Sequence, residues 1–362
     1  MPLSNIVYNP LIRTKDSTTR VMLDVVIALV PCLVISYLAF GTAALSLIAV
    51  SVGSAMVAEY LFSLIFLHRT DSLGNFSAVV TGLLLAFTLG AFTPLYVVAF
   101  GSAAAVIFGK LLWGGLGTNR FNPALVGREF MTVFFPSVMT SGTIWYNQAQ
   151  VNFSSFHITG SDFSNQLFFK PSGALGEYSI IFLIVGGLYL LLRRRISWHI
   201  PFSLFLVFTI GLFVSKYIAP DKQMSFSLGG LVLGTLFMAT DMASSASTPW
   251  GKCYYGAMIG LSAVILVFNG VRYEYMSYSI LLLNGFSGII NWICRPRIWG
   301  DHLNIPKRLS QVLLLTVIIV LATFAIIKIH ELGGIQYLIY VYILYCIIRF
   351  IIGDIKGSRS IK

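Results

Sequence analysis

Two polar and irregular stretches stand out in an otherwise apolar chain. The first, GLGTNRFNPALVG, covers residues 115–127, and the second, TDMASSASTPWGK, covers residues 240–252. Their amide, hydroxyl and carboxylate groups can hydrogen-bond a polar ligand or coordinate a cation, and irregular backbone at membrane depth is tolerated only where protein buries it or where it lines a cavity. The candidate cofactor-binding or ion-binding residues are Asn119, Arg120, Asn122, Pro123, Thr240, Asp241, Ser244, Ser245 and Thr248.

Both stretches also have a purely structural interpretation. Asn122 followed by Pro123 is typical of the cap and first residue of a helix. The second stretch has the composition of a loop whose Ser, Thr and Asp side chains cap a helix that starts at Pro249. The residues alone leave both interpretations open.

Charged side chains inside apolar segments are the second source of possible chemistry, because burying them in a bilayer is costly. Glu59 lies deep in an Ala/Val/Leu environment, and Asp24 lies one turn into its segment. These two are the candidate ion-pathway carboxylates. Arg128 and Glu129 are adjacent in sequence and therefore do not share a helix face, so each needs its own partner.

Composition places these residues in a polytopic membrane protein. The 362 residues are 57% hydrophobic and 10% charged, with a mean hydropathy of +0.84. A soluble domain could not carry this composition on its surface. The net charge of +11 therefore describes membrane loops and not a nucleic-acid partner. The cysteines and histidines lack metal-ligand spacing, and nucleotide-binding or hydrolase motifs are missing, so any redox chemistry would come from a bound cofactor.

Twelve apolar stretches could cross or nearly cross a bilayer. They lie near 21–40, 42–67, 75–92, 94–113, 121–136, 178–192, 199–218, 225–240, 253–270, 276–293, 309–328 and 335–352. A full span needs about 20 helical residues. We therefore expect the short stretches 121–136, 178–192 and 225–240 to be re-entrant or broken.

The basic residues predict the orientation. With a cytoplasmic N-terminus, 18 Lys and Arg residues fall on the inner side and five on the outer side, with Arg128 inside a span. This bias predicts a multi-pass protein with both termini in the cytoplasm. We expect its membrane to be a bacterial cytoplasmic (inner) membrane.

The two halves of the chain resemble each other. Asn75-Phe76-Ser77 opens one Gly/Leu-rich segment and Ser225-Phe226-Ser227 opens another, in opposite orientations. This pattern predicts an all-α polytopic fold, a ten-helix inverted repeat (5+5) with a C-terminal two-helix hairpin. The predicted units are a cytoplasmic segment, a first half-repeat, an extracytoplasmic loop, a second half-repeat, and the hairpin with its tail; their bounds are 1–20, 21–136, 137–177, 178–293 and 294–362. The alternative is that Gly/Ala/Leu-rich helices simply look alike.

Four collinear motifs, NPLIRTKDSTTRVMLDVVIALVP, GGLGTNRFNPALVGREF, GGLYLLLRRRISWHIP and LGTLFMATDMASSASTPWGKCYYGAMIG, carry a family resemblance. Together they make residues 8–295 similar to the D subunit of the Rnf electron-transport complex. That family is homologous to the B subunit of the sodium-pumping NADH:quinone reductase. The resemblance implies a ten-helix membrane subunit, with other Rnf-type subunits as partners. The complex would couple electron transfer between ferredoxin and NAD to Na⁺ or H⁺ translocation.

The resemblance also implies flavin, either FMN esterified to a Thr in an SGAT-type motif or noncovalent riboflavin. Here the nearest match to that motif, residues 172–175, ends in Leu175, which has no hydroxyl group. Thr143, in the looser match TSGT, is the remaining candidate for covalent FMN. We therefore expect noncovalent flavin in preference to covalent FMN, with the two polar stretches lining the flavin or ion region.

Three functions remain open at this stage. The protein is an electron-carrying flavin subunit, a scaffold or ion-conducting subunit without attached flavin, or an independent channel or transporter built on the inverted repeat. The C-terminal hairpin is expected to dock a partner subunit. The sequence leaves the choice between Na⁺ and H⁺ open. It also does not decide whether the chain is itself an enzyme.

Overall fold

The structure is a computed structural model that describes residues 16–68, 72–145, 173–222, 224, 226–296 and 305–360. Within these ranges every regular element is helical. The helices are α1 (Thr18–Phe40), α2 (Thr42–Phe66), α3 (Ser77–Phe87), α4 (Leu95–Gly109), α5 (Pro123–Phe134), α6 (Pro136–Met139), α7 (Gly142–Trp145), α8 (Ile180–Leu192), α9 (His199–Ile218), α10 (Leu228–Leu233), α11 (Pro249–Phe268), α12 (Tyr275–Ile293), α13 (Ile305–Glu331) and α14 (Ile335–Ser360).

Eight helices in the described part of the chain are long and apolar enough to cross a membrane. They are α1, α2, α4 with the turn that follows it, α9, α11, α12, α13 and α14. Shorter apolar helices cover Ser77–Phe87, Ile180–Leu192 and Leu228–Met238. The polytopic all-α fold is confirmed. We call the membrane face at which α1 begins the proximal face, and the other the distal face.

The helices pack in two matching sets. In the first half α2 contacts α4, and α4 contacts α5; in the second half α9 contacts α11, and α11 contacts α12. Helices α2 and α4 run parallel, since Ser51 Oγ lies 2.9 Å from Ser102 Oγ and, eight residues further along both helices, Glu59 meets Lys110. Helices α9 and α11 also run parallel, because Gly256 and Gly260 pack on the backbone of Ile200 and Leu204.

The third helix of each half crosses only part of the membrane. At 11 residues, α3 is about 16 Å long, roughly half the hydrocarbon thickness. Helix α10 continues into a π-helical turn, Gly234–Met238, and has a similar total length. The stretch 75–92 was expected to be one span, but the helix ends at Phe87, where the Thr88 hydroxyl bonds the Leu85 carbonyl at 2.7 Å and Pro94 follows. Both broken helices therefore end inside the protein.

The C-terminal hairpin, α13 and α14, packs on the outside of this core. Helix α13 contacts α11 and α12, whereas α14 contacts α5 and the turn after α4. In the second contact Trp113 Nε1 donates to Tyr342 Oη at 3.1 Å, and the Arg349 guanidinium lies 4.1 Å from the centre of the Trp113 ring. Most large apolar side chains of α14 remain exposed, as expected for a helix that faces lipid.

Candidate functional site

The two polar stretches meet in the interior. Asn119 Nδ2 donates to Asp241 Oδ2 at 2.9 Å, and Asn122 Nδ2 donates to the Met238 carbonyl at 3.1 Å. Asn122 also caps α5, since its Oδ1 accepts from the backbone nitrogens of Ala124 and Leu125. The structural interpretation of Asn122 is thus correct locally, and the same side chain also joins the two halves of the fold.

Asp241 is the acidic centre of this junction. Besides Asn119, Ser244 Oγ donates to Asp241 Oδ2 at 2.8 Å. The carboxylate lies just beyond the end of the α10 and π-turn unit, where a helix presents carbonyl groups without intrahelical donors. A carboxylate beside the backbone carbonyls of a helix end is a hard oxygen environment suited to a monovalent cation or a proton.

A proximal cavity opens beside Asp241. Its volume is about 130 Å³, and it reaches the start of α3, the end of α4, the start of α5, the end of the π-helical turn and the facing ends of α1 and α8. Five predicted residues line it: Asn119, Asn122, Pro123, Thr240 and Asp241. The other polar residues of the lining are Ser77, Thr81, Lys110 and Arg195. The two basic groups are ion-paired, Lys110 with Glu59 and Arg195 with Asp24.

The remaining predicted residues of the two stretches lie elsewhere. Arg120 Nη2 donates to the Gly285 carbonyl at 2.8 Å and packs on α12. Thr248 caps α11 by accepting from Gly251 N at 3.2 Å. Ser245 is buried, and Ser244 acts through Asp241. None of these four side chains lines the proximal cavity.

A smaller distal cavity, about 40 Å³, lies on the other side of the broken helices. Its polar lining includes Thr88 after α3, Arg128 on α5, Glu177 before α8, Ser227 at the start of α10, Tyr273 and Tyr275 before and at the start of α12, and Ser277 on α12. The Ser227 hydroxyl donates to Glu177 Oε2. Because α3 and α10 are equivalent in the repeat, each cavity contains the start of one broken helix and the end of the other.

The sequence matches one protein family over most of its length. A sequence model of the family described as "NQR2, RnfD, RnfE family" matches residues 5–300. The chain belongs to this family. The hairpin α13–α14 begins at Ile305 and so lies outside the matched residues.

Individual relatives agree with this assignment. The chain is 37% identical over 303 residues to the D subunit of the Na(+)-translocating ferredoxin:NAD(+) oxidoreductase complex of Acetobacterium woodii, covering 81% of this chain and 94% of the relative. It is 30% identical over 318 residues to the proton-translocating counterpart of Clostridium ljungdahlii, covering 81% and 95%. The D subunit of the ion-translocating oxidoreductase complex of Yersinia enterocolitica is 29% identical over 347 residues, covering 82% and 98%.

Two buried residues of this NQR2/RnfD/RnfE family member were missed by sequence reasoning, Asn284 and Lys110. The amide of Asn284 lies 2.5 Å from Tyr255 Oη, and in the orientation that satisfies its neighbours its oxygen accepts from Asn122 N at 3.0 Å while its nitrogen donates to the Ser244 carbonyl at 3.3 Å. Asn284 therefore links both polar stretches to α12. The available signal was a single amide inside the apolar run SILLLNGFSG.

The two candidate ion-pathway carboxylates are paired with basic groups. Lys110 Nζ lies 2.7 Å from both oxygens of Glu59 and also donates to Ser77 Oγ. Lys110 is one of the 18 basic residues counted on the inner side, but it is buried at the end of α4 and is not exposed in a loop. Asp24 accepts from Arg195 Nε at 2.6 Å and from Tyr189 Oη at 3.1 Å. Neither Asp24 nor Glu59 is part of the cavity lining, and their role in ion transport stays a prediction.

The charged neighbours on α5 do have separate partners. Arg128 Nη1 donates to the Thr88 carbonyl at 2.6 Å, and Glu129 accepts from the Ser277 hydroxyl on α12. Thr143 falls in the short helix α7, and its side chain is outside the part of the chain that the structure describes. The prediction of covalent FMN at this residue is therefore untested.

Proposed function

We propose that this protein is the D-type membrane subunit of an Rnf-type complex and that it contributes the path of the translocated cation. The relatives named above give the class of reaction, electron transfer between ferredoxin and NAD coupled to movement of Na⁺ or H⁺. The proposal of a cation path rests on one observation. A cavity on each side of the broken helices is lined by polar groups, and the Asp241 carboxylate lies at the wider one.

The distribution of basic residues supports a cytoplasmic position for the proximal face. A cation would then enter the proximal cavity and be held by Asp241 with nearby carbonyl and hydroxyl oxygens. Asn119 and Ser244 orient the carboxylate. Asn284 bonds the backbone nitrogen of Asn122 and the carbonyl of Ser244, and so holds the backbone of both polar stretches near Asp241. Electron transfer in the assembled complex would drive release toward the distal cavity.

The proximal cavity is less suited to flavin. Pockets for drug-sized ligands have volumes of roughly 300–1,000 Å³, whereas this cavity measures about 130 Å³ and its amide and carboxylate groups already bond one another. The residues that line this cavity therefore fit several waters or a partly hydrated cation and do not fit an isoalloxazine ring. Covalently attached FMN, including FMN at Thr143, is tested by ultraviolet fluorescence of the denatured protein on a gel. Noncovalent flavin is released on denaturation, so its test is the flavin content of the native preparation.

An Asp241→Asn substitution tests the cation path. Hydrogen bonds and contacts to a charged group are worth about 1.5–3 kcal/mol, so cation transport driven by ferredoxin oxidation should fall roughly 10- to 100-fold. The assay is uptake of radioactive sodium, and in parallel of protons with a pH-sensitive dye, into liposomes that contain the purified complex. Asp221→Asn, the same change at an exposed aspartate, is the matched control. Unchanged driven uptake in an assembled Asp241→Asn complex would refute the proposed path.

A further inference from the structure

The end of α3 differs electrostatically from the equivalent end of the α10 and π-turn unit. Both ends lie inside the protein and both present carbonyl groups that lack intrahelical donors and carry partial negative charge. At the end of the π-helical turn, the Met238 carbonyl accepts from a neutral amide, Asn122 Nδ2. At the end of α3, the Thr88 carbonyl accepts from a guanidinium, Arg128 Nη1, at 2.6 Å.

Arg128 is well placed to affect an ion that moves between the cavities. It lines the distal cavity and only 7% of its surface is exposed. Along α5 it follows Pro123, which lines the proximal cavity, by five residues, or about 7.5 Å. Leu125, between them in sequence, lines the distal cavity. A cation leaving Asp241 for the distal side would therefore approach a fixed positive charge.

The distal cavity also has its own counter-charge. Glu177, to which Ser227 donates, lies in this cavity near the start of α10. The positive end of the α10 dipole and the Ser227 hydroxyl already stabilise this carboxylate. The carbonyl end of α3, in contrast, is occupied by the guanidinium.

We propose that Arg128 is a tethered cation that occupies the carbonyl end of α3 and blocks the resting path between the two cavities. This inference rests on the proposed function, because it concerns the same cation path. While Arg128 bonds the Thr88 carbonyl, that oxygen is not available to a mobile cation, and the guanidinium charge repels a cation that approaches the end of α3. Passage requires the guanidinium to move away, and that movement is the step that the assembled complex would control.

The test measures cation leak in the absence of an electron donor. The complete complex is reconstituted in liposomes, and passive uptake of radioactive sodium and of protons is followed after a gradient is imposed. Arg128→Gln removes the charge and should raise the passive leak of at least one of the two cations tenfold or more. Arg128→Lys keeps the charge and should show the same low passive leak as the unchanged complex. Thr132→Val, on the same helix, removes a hydroxyl that bonds its own helix and should also stay tight.

The outcomes separate the two proposals. An Arg128→Gln complex that assembles and remains tight to both cations overturns the inference, and so does a leak of equal size in Arg128→Lys. If Arg128→Gln fails to assemble, Arg128→Ala takes its place. Suppression of the Arg128→Ala leak by added guanidinium ion would support the blocking role. A leak of the same size with and without guanidinium ion would overturn it. Asp241→Asn is assayed in parallel for driven uptake. If Asp241→Asn loses driven uptake and Arg128→Gln does not leak, the block by Arg128 is refuted and the path through Asp241 is not. If Asp241→Asn keeps its driven uptake, the proposed path is refuted.

Discussion

The buried ion pair between Glu59 and Lys110 gives the most quantitative prediction. Exposed side-chain fractions are 2% for Glu59 and 3% for Lys110, and the nitrogen lies 2.7 Å from the carboxylate. At an effective dielectric constant of about 20, the attraction over this distance is roughly 6 kcal/mol before desolvation is subtracted. Removing one member leaves an uncompensated charge among apolar side chains, which costs about 3–5 kcal/mol. Lys110→Met should lower the free energy of unfolding by this amount.

A double-mutant cycle separates the pair from the individual residues. Because exchanging a whole buried pair for uncharged groups of similar volume is often neutral, Glu59→Gln combined with Lys110→Met should recover most of the loss. The assay is reversible unfolding in mixed detergent micelles. The control on the same helix is Ser54→Ala, whose hydroxyl bonds only its own backbone. A double variant as unstable as Lys110→Met would show that charge compensation is not what stabilises this site.

The same double variant also tests the predicted role of Glu59 in ion transport. A stable, assembled double variant that retains driven cation uptake would make Glu59 a structural residue, part of the support for the start of α3. A stable variant without uptake would keep it in the path.

Two further predictions concern helix packing. A Cβ atom at Gly127 would lie 2.5 Å from the Gly101 carbonyl and 2.6 Å from the Ala105 Cβ, so Gly127→Val should separate α4 from α5 and cost about 1–3 kcal/mol; unchanged unfolding in the same detergent assay would contradict this close approach. Asp24→Asn removes the charged acceptor of Arg195 and should cost about 1.5–3 kcal/mol in the same assay. Since both single variants lose the same bond, an Arg195→Gln, Asp24→Asn double variant should lose less than the sum of the two single losses, and a fully additive loss would contradict the pairing.

Much of the architecture could be predicted from the sequence, because apolar run length and the bias of basic residues act locally. The long spans and the positions of the two polar interruptions follow from such signals. What could not be predicted is which distant side chains pair. Glu59 stood out as an isolated charge, but its partner Lys110, 51 residues later, was counted only as one of the basic residues of the inner side.

Asn284 was missed for a related reason. A single amide in an apolar helix gives no sign of which backbone groups it bonds, and its neighbours Asn122 and Ser244 come from the two separate polar stretches. The end of α3 at Phe87 was also missed, because the apolar run continues through Phe92 without a charged residue. In both cases the information lies in tertiary contacts that a residue pattern does not contain.

The π-helical turn at Gly234–Met238 sets the direction, around the helix axis, in which the next side chains point. Here the Ala239 amide reaches back five residues to the Gly234 carbonyl instead of four. A regular helix advances by about 100° per residue, so without the additional residue in this turn Asp241 would emerge rotated by that angle, away from Asn119. Insertions of this kind recur at functional sites. A one-residue change in the length of α10 would therefore redirect the carboxylate even if every side chain around it were kept.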